Sequence, residues 1–359
     1  MTTNAFDADR PPEVPRRRRR REDDGRPPSQ NRPDPHAMVP PAEFVSYYGQ
    51  PVIKPLPWGH EIPGYLFVGG VTGASGLIGC WAHTVGLDRL RRNSRISALV
   101  GVGVSAGLLV VDLGHPERFL NMMRTMKLTS PMSIGSWILS GFGGFAAMSM
   151  GAEIASMLGW DDPRTRTGIL VTLLGAAGSA GSALFAAPLA SYTAVLLSDT
   201  AAPTWHEAWR ELPWVFVFSA NAAASGLAMI TTSPSQTLGP RTLAVGAAAI
   251  ETAAFLRMEQ QLGPLLAEPL HHGQAGKLIK ASKVLTIGGA VGAALFGRNR
   301  VAAVVSGLAL LAGSACTRFG VFEAGVHSAK DPKYTMIPQR ERVRKRHADG
   351  DGSRDITVV

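Results

Sequence analysis

The sequence predicts an all-α integral membrane protein, a bundle of about eight transmembrane helices with disordered polar tails. Three observations carry that prediction. The chain is 45% hydrophobic and only 18% charged, and its mean hydropathy is +0.08 although both ends are very polar, a balance typical of a membrane protein with soluble tails. Charge is unevenly placed, because Met1–Lys54 and Lys330–Val359 hold much of the Arg, Asp, Glu and Pro. Between them lie eight apolar runs, most of them near the roughly 20 residues that cross a bilayer as a helix. The runs are continuous instead of alternating, which argues against a β-barrel.

The first 55 residues are read as a disordered Arg/Pro-rich tail. "PRRRRRREDDGRPP" at Pro15–Pro28 has no apolar period and cannot bury enough surface to offset the entropy of ordering. No apolar signal-peptide core follows it. Ahead of a membrane core, such a tail sets topology, so the net charge of +9 does not call for a nucleic-acid partner.

The transmembrane domain is placed at residues 56–328, with a polar basic tail over 329–359. Its runs are Ile62–Trp81, Ile96–Leu113, Ile134–Leu158, Gly168–Leu197, Pro213–Thr231, Thr242–Gln260, Ser282–Phe296 and Arg300–Val321. Small residues fill them, as in "GGVTGASG" at Gly69–Gly76 and "GAAGSAGSALFAAP" at Gly175–Pro188. In lipid, small side chains let helix backbones approach closely, so a tight bundle is expected. An even number of spans puts both termini on one face. Asp112–Pro131, Ser198–Pro213, Pro57–Tyr65 and Phe322–Tyr334 fall on that same face, and the functional groups concentrate there. The positive-inside rule puts both Arg-rich tails, and with them this face, in the cytoplasm, whereas Arg89, Arg91, Arg92 and Arg95 between the first two runs pull the other way.

Cys80 and Cys316 are the only cysteines, which excludes a disulfide framework, a cysteine-ligated zinc and a four-cysteine iron–sulfur cluster within this chain. His60, His83, His115, His206, His271, His272 and His327 all sit at run ends or in connections, so a haem held by two imidazoles in the bundle is not expected. Ionisable groups inside spans are expensive and mark sites or proton routes. Asp112 is the clearest, either as a functional acid or as a helix-end carboxylate paired with Arg118. Glu153, Glu251, Arg257 and Glu259 are further candidates, Glu153 and Glu251 for a proton path; a structural Glu–Arg pairing within the bundle is the alternative reading, above all for Arg257 and Glu259. Trp58, Tyr65, Trp137, Trp205, Trp209 and Trp214 gather near the functional edge, where aromatic belts are common. A lipophilic ring headgroup needs an apolar slot with a few donors and acceptors, and Tyr65, Tyr192, His60 and Asp112 can furnish them.

Three stretches resemble the NrfD/polysulfide-reductase membrane-subunit family. "WGHEIPGYLFVGGVTGASGLI" is similar to its first helix and the aromatic-rich lead before it. "DLGHPERFLNMMRTMKLTSPMSIGSW" is similar to its stretch between helices two and three, and "YTAVLLSDTAAPTWHEAWRELPWVFVFSANAAASG" to its fourth-to-fifth helix region. The resemblance runs over about Trp58–Tyr334. It implies a quinone-binding subunit, with menaquinone or a relative as ligand and no haem or iron–sulfur cluster of its own. It also implies a ferredoxin-like four-cluster iron–sulfur partner and a molybdopterin catalytic subunit, possible substrates of which include formate. Carried over residue by residue, Tyr65 and Tyr192 resemble headgroup contacts, and Asp112, His115 and Arg118 lie in the loop that closes the site. The chain departs from the family in having His115 where Arg is usual and His60 where Trp is frequent.

Quinone reduction consumes two protons, so a carboxylate or imidazole must lie within hydrogen-bond reach of a carbonyl oxygen. Asp112 and His115 are the expected proton exchangers, with His60 and Glu61 beside them. A secondary transporter and a purely structural anchor are the rival functions; no inverted internal repeat supports the first.

Overall fold

The structure is a computed structural model and describes residues 51–54, 56–112, 121, 123–124 and 126–348. Among these the regular elements are helical, and no strand occurs. Four long helices come first: α1 (Glu61–Thr84), α2 (Asp88–Asp112), α3 (Pro131–Met157) and α4 (Arg166–Ser198). A short α5 (Pro203–Glu207) leads to α6 (Leu212–Thr231), α7 (Leu238–His271), α8 (Gly273–Phe296) and α9 (Arg300–Lys330). Residues 53–330 form one compact unit. The second unit includes α10 (Lys333–Ala348), a helix where the sequence suggested an unstructured tail. "QRERVRKRHA" explains the difference, since Arg, Gln, Glu and Lys are good helix formers.

Among the described residues seven helices are long and apolar enough to cross a membrane: α1 to α4, α6, α8 and α9. The expected sixth span is present as α7, which carries Arg241, Glu251, Arg257 and Glu259 and stands outside that set. Its regular course ends at Gly263, which takes φ 67° just before Pro264. Only glycine adopts that conformation without strain, and the following proline excludes a continued helix.

Most helix bounds agree with the apolar runs to within a few residues, and two differ instructively. Arg89, Arg91, Arg92 and Arg95 are not in a connection, because α2 already begins at Asp88. Gly86 at φ 71° closes the preceding turn, and an acid in the first turn suits the positive end of the helix dipole. Helix α8 likewise starts at Gly273, nine residues before the apolar run.

Helices α1 to α4 pack as one group and α6 to α9 as another, and α1 and α4 lie against α6 where the groups meet. Small residues permit the close crossings. A Cβ on Gly226 of α6 would lie 2.6 Å from the Gly307 carbonyl of α9, and one on Gly73 of α1 would lie 2.8 Å from the Ala186 carbonyl of α4. Successive antiparallel helices give this unit two ends. At one, the start of α1 meets the end of α4 through Tyr65 and Tyr192. At the other, Asn93 of α2 donates to the Thr231 carbonyl at 2.8 Å, and Arg300 donates to the Met229 and Thr232 carbonyls at 2.8 and 2.7 Å.

Candidate functional site

Tyr65 lies one turn into α1 and is 2% exposed; Tyr192 lies in the last two turns of α4 and is 8% exposed. Their rings meet edge to face with centroids 6.3 Å apart, an arrangement that the ring quadrupoles favour. Gly135 at the start of α3 lets the Tyr192 ring close against the backbone, since a Cβ there would overlap the ring. The Tyr65 hydroxyl is buried and has no protein partner. A buried hydroxyl without a partner is costly, so this atom is the clearest sign of a site prepared for something other than protein.

An open groove of about 660 Å³ runs between the start of α3 and the end of α4, with Pro131, Ile134, Ile138, Pro188, Ser191 and Tyr192 among its walls. Its size and apolar lining suit a ring compound. Pro188 contributes by lacking an N–H, which removes one rung of α4 and frees a carbonyl in the turn before it. Tyr192 lines the groove, and Tyr65 stands behind Tyr192.

Asp112 closes α2 at this same end and is partly buried. Glu61, in the first turn of α1, lies close enough to repel it. His60 precedes α1 and is exposed, without a capping bond to the helix. The fold therefore brings Tyr65, Tyr192, Asp112, Glu61 and His60 to one end of the bundle. His115 and Arg118 lie outside the described residues.

The short α5 braces this end. Trp205 is fully buried and donates Nε1–H to the Val321 carbonyl at 2.7 Å, and it stacks on Trp58 at 6.1 Å. Thr204 donates to the Leu266 carbonyl at 3.0 Å. Gly325 is required beneath Trp205, where any Cβ would overlap the indole. Trp205 thus fixes the wall of the bundle, while Trp209 and Trp214 stay exposed at 55% and 60%.

Glu153 and Glu251 are not at this end. Glu153 lies in the last two turns of α3 and receives Arg95 at 2.7 Å, Arg91 at 2.9 Å and Arg92 at 3.3 Å. Glu251 lies near the middle of α7, inside the second helix group. Arg257, whose side chain is 74% exposed, comes within 3.8 Å of Glu211, and Glu259 lies 3.0 Å from Lys283, so Glu259 meets a lysine and not an arginine. Sequence reasoning missed Arg318, which is fully buried in α9; a lone Arg far inside the Arg300–Val321 run was the signal. Among the described residues no group of three His, Cys, Asp or Glu converges as metal ligands would.

A comparison with curated proteins finds no match. The family model described as polysulphide reductase, NrfD, matches residues 52–236, a span that holds Tyr65, Asp112 and Tyr192 and ends before α7. With half of the chain matched in this way, and with seven helices able to cross a membrane, the protein belongs to the NrfD family and is a multi-pass membrane subunit of a redox complex.

Proposed function

We propose that this chain is the quinone-exchanging membrane subunit of a molybdopterin/iron–sulfur oxidoreductase, with menaquinone as its lipid-soluble partner. The tyrosine pair behind an apolar groove carries the proposal. The groove opens beside Tyr192 at one end of the bundle, and the orphaned Tyr65 hydroxyl offers a donor just behind it. These residues fit a ring with carbonyl oxygens: the apolar walls take the ring, and a phenol donates to an oxygen.

A quinone bound there would supply two-electron, two-proton chemistry. The chain's own contribution is to hold the headgroup, to keep water out along the α3–α4 groove, and to exchange protons. Asp112 is the described residue placed for proton exchange, and Glu61 beside it offers a second carboxylate. His115 is assigned the same task and Arg118 a place in the closing loop, on the resemblance alone. Electrons arrive from, or leave to, a four-cluster iron–sulfur partner at the same end, which in turn serves a molybdopterin subunit. Formate is the substrate we assign to that subunit, because an intracellular donor suits a cytoplasmic functional face. We place the chain in a bacterial inner membrane with both tails inside. Glu153 is given a structural role, since its oxygens are engaged by guanidinium groups.

The test is a pull-down of the tagged chain in mild detergent, with mass spectrometry of partners and extraction of quinone. The proposal expects an iron–sulfur protein, a molybdopterin enzyme and menaquinone. In the assembled complex, Asp112→Asn should lower quinone-linked turnover while leaving bound quinone in place. A partnerless, quinone-free protein contradicts the reading.

A further inference from the structure

Near the middle of α7 and α9, where lipid surrounds the bundle, two opposite charges are buried together. Glu251 is 5% exposed and Arg318 0%. The Thr317 hydroxyl donates to Glu251 Oε1 at 3.0 Å, and Ser282 of α8 lies 2.5 Å from Thr317 Oγ1. The Ser219 hydroxyl of α6 also faces Glu251, and it donates to Ser314 of α9 at 2.9 Å. The Arg318 guanidinium lies over the Phe216 ring, 3.8 Å from its centroid, and donates from Nη2 to the Phe216 carbonyl at 2.7 Å. Gly70 of α1 makes room for it, because a Cβ there would lie 3.0 Å from Nη2.

This pairing is incomplete. Arg318 Nε and Nη1 and Glu251 Oε2 are buried without a protein partner, although the two residues attract each other. Ser225 of α6 and Thr286 of α8, one to two turns closer to the Arg300 end, also have orphaned hydroxyls. A guanidinium presents five donors, and leaving buried charge unsatisfied is strongly unfavourable. Interiors resolve such deficits with ordered water, which makes about three hydrogen bonds to groups of this kind. Apolar surroundings would stay dry, but the orphaned groups here belong to a carboxylate, a guanidinium and hydroxyls.

We propose that the Glu251–Arg318 cluster is an internal water-binding site, with water bridging Glu251 Oε2 to Arg318 Nε and Nη1. Glu251 and Arg318 lie beyond the segment matched by the family, which ends at Gln236, while Gly70, Phe216 and Ser219 around them lie within it; the site does not depend on quinone binding at the tyrosine pair. Bound water gives the Glu251 carboxylate a partner with which to exchange a proton inside the bundle. That is the minimum chemistry for the proton path suggested for Glu251, and Arg318 is the positioning residue that holds the water there.

X-ray hydroxyl-radical footprinting tests this on the full chain in lipid nanodiscs, because radicals formed from bound water oxidise the side chains they touch. Phe216 and Met229, both 0% exposed on α6, form an internal comparison: Phe216 lies beneath Arg318, and Met229 packs among alanines. After correction for intrinsic reactivity, Phe216 should be modified roughly five-fold faster than Met229 if water is bound beside it. In Glu251→Leu/Arg318→Met the Phe216 rate should fall to that of Met229. Equal rates in the wild-type protein overturn the proposal, and so does a Phe216 rate that the double substitution leaves unchanged. Should the double variant fail to fold, the wild-type comparison decides alone.

Discussion

Glu153 receives Arg91 Nε and Nη2, Arg92 Nε and Arg95 Nη1, with donor distances from 2.7 to 3.3 Å, so both of its oxygens are engaged. Glu251 receives Thr317 on Oε1 and leaves Oε2 open. The surroundings account for the difference. Glu153 lies where α2 and α3 reach one end of the bundle, and the Arg92 side chain there is still 43% exposed, so its charge keeps water while its stem packs. Arg95, at 6%, donates from its two terminal nitrogens to Glu153, to Ser179 at 2.8 Å and to the Gly175 carbonyl at 3.2 Å, and leaves Nε without a partner. Glu251 and Arg318 have no such outlet midway along their helices. A carboxylate at a bundle end can be satisfied by arginines that snorkel; one in the middle must share what the neighbouring helices offer, and here they offer too little. The saturated Glu153 carboxylate marks a clasp between helices, and the open oxygen of Glu251 marks a place where a small polar molecule enters.

The largest effect is expected at the saturated cluster. Glu153→Ala strands three guanidinium groups and should cost about 3–5 kcal/mol, seen as a large fall in the melting temperature of the detergent-purified protein. If the variant melts with the wild type, Glu153 is no clasp. The second group should behave differently. Arg318→Met alone leaves Glu251 buried without its counter-charge and should cost about 1–3 kcal/mol, whereas Glu251→Leu/Arg318→Met should return to within about 1 kcal/mol of wild type. A double variant as unstable as the sum of the single ones would make the pair a structural clasp after all.

Smaller effects sharpen the contrast. Gly70→Ala brings a Cβ to 3.0 Å from Arg318 Nη2 and 3.1 Å from the Ala220 Cβ, and should cost about 1–3 kcal/mol through crowding. Asp88 pairs with Arg91 at 2.6 Å but its side chain is 71% exposed, so Asp88→Ala should shift stability by less than about 1 kcal/mol.

The sequence and the fold agree where hydrophobicity alone decides. The ends of α3, α4 and α6 follow from where apolar residues stop, because lipid enforces that boundary. Arg89, Arg91, Arg92 and Arg95 read as a connection for the same reason, since polarity reads as a loop; in the structure they extend the helix, and Arg91, Arg92 and Arg95 turn inward to Glu153. Glu153 and Glu251 could not be told apart in the sequence, because each is a single acid in an apolar run and the difference lies on other helices. The Tyr65–Tyr192 contact joins residues far apart in the chain; the sequence names both as headgroup donors at one face, but nothing in it sets one ring against the other. The groove beside Tyr192 had no signal beyond Pro188, since a gap between two helices depends on how they splay.

The central claim is that a quinone sits against Tyr192 in the α3–α4 groove. Photolabelling the nanodisc-embedded chain with an azido-menaquinone analogue, followed by peptide mapping, tests it most directly. The account predicts that label falls on Pro131–Ile138 and Pro188–Val195, that excess menaquinone displaces it, and that Tyr192→Ala weakens it. Displaceable label confined to α6–α9, or no displaceable label at all, would contradict it.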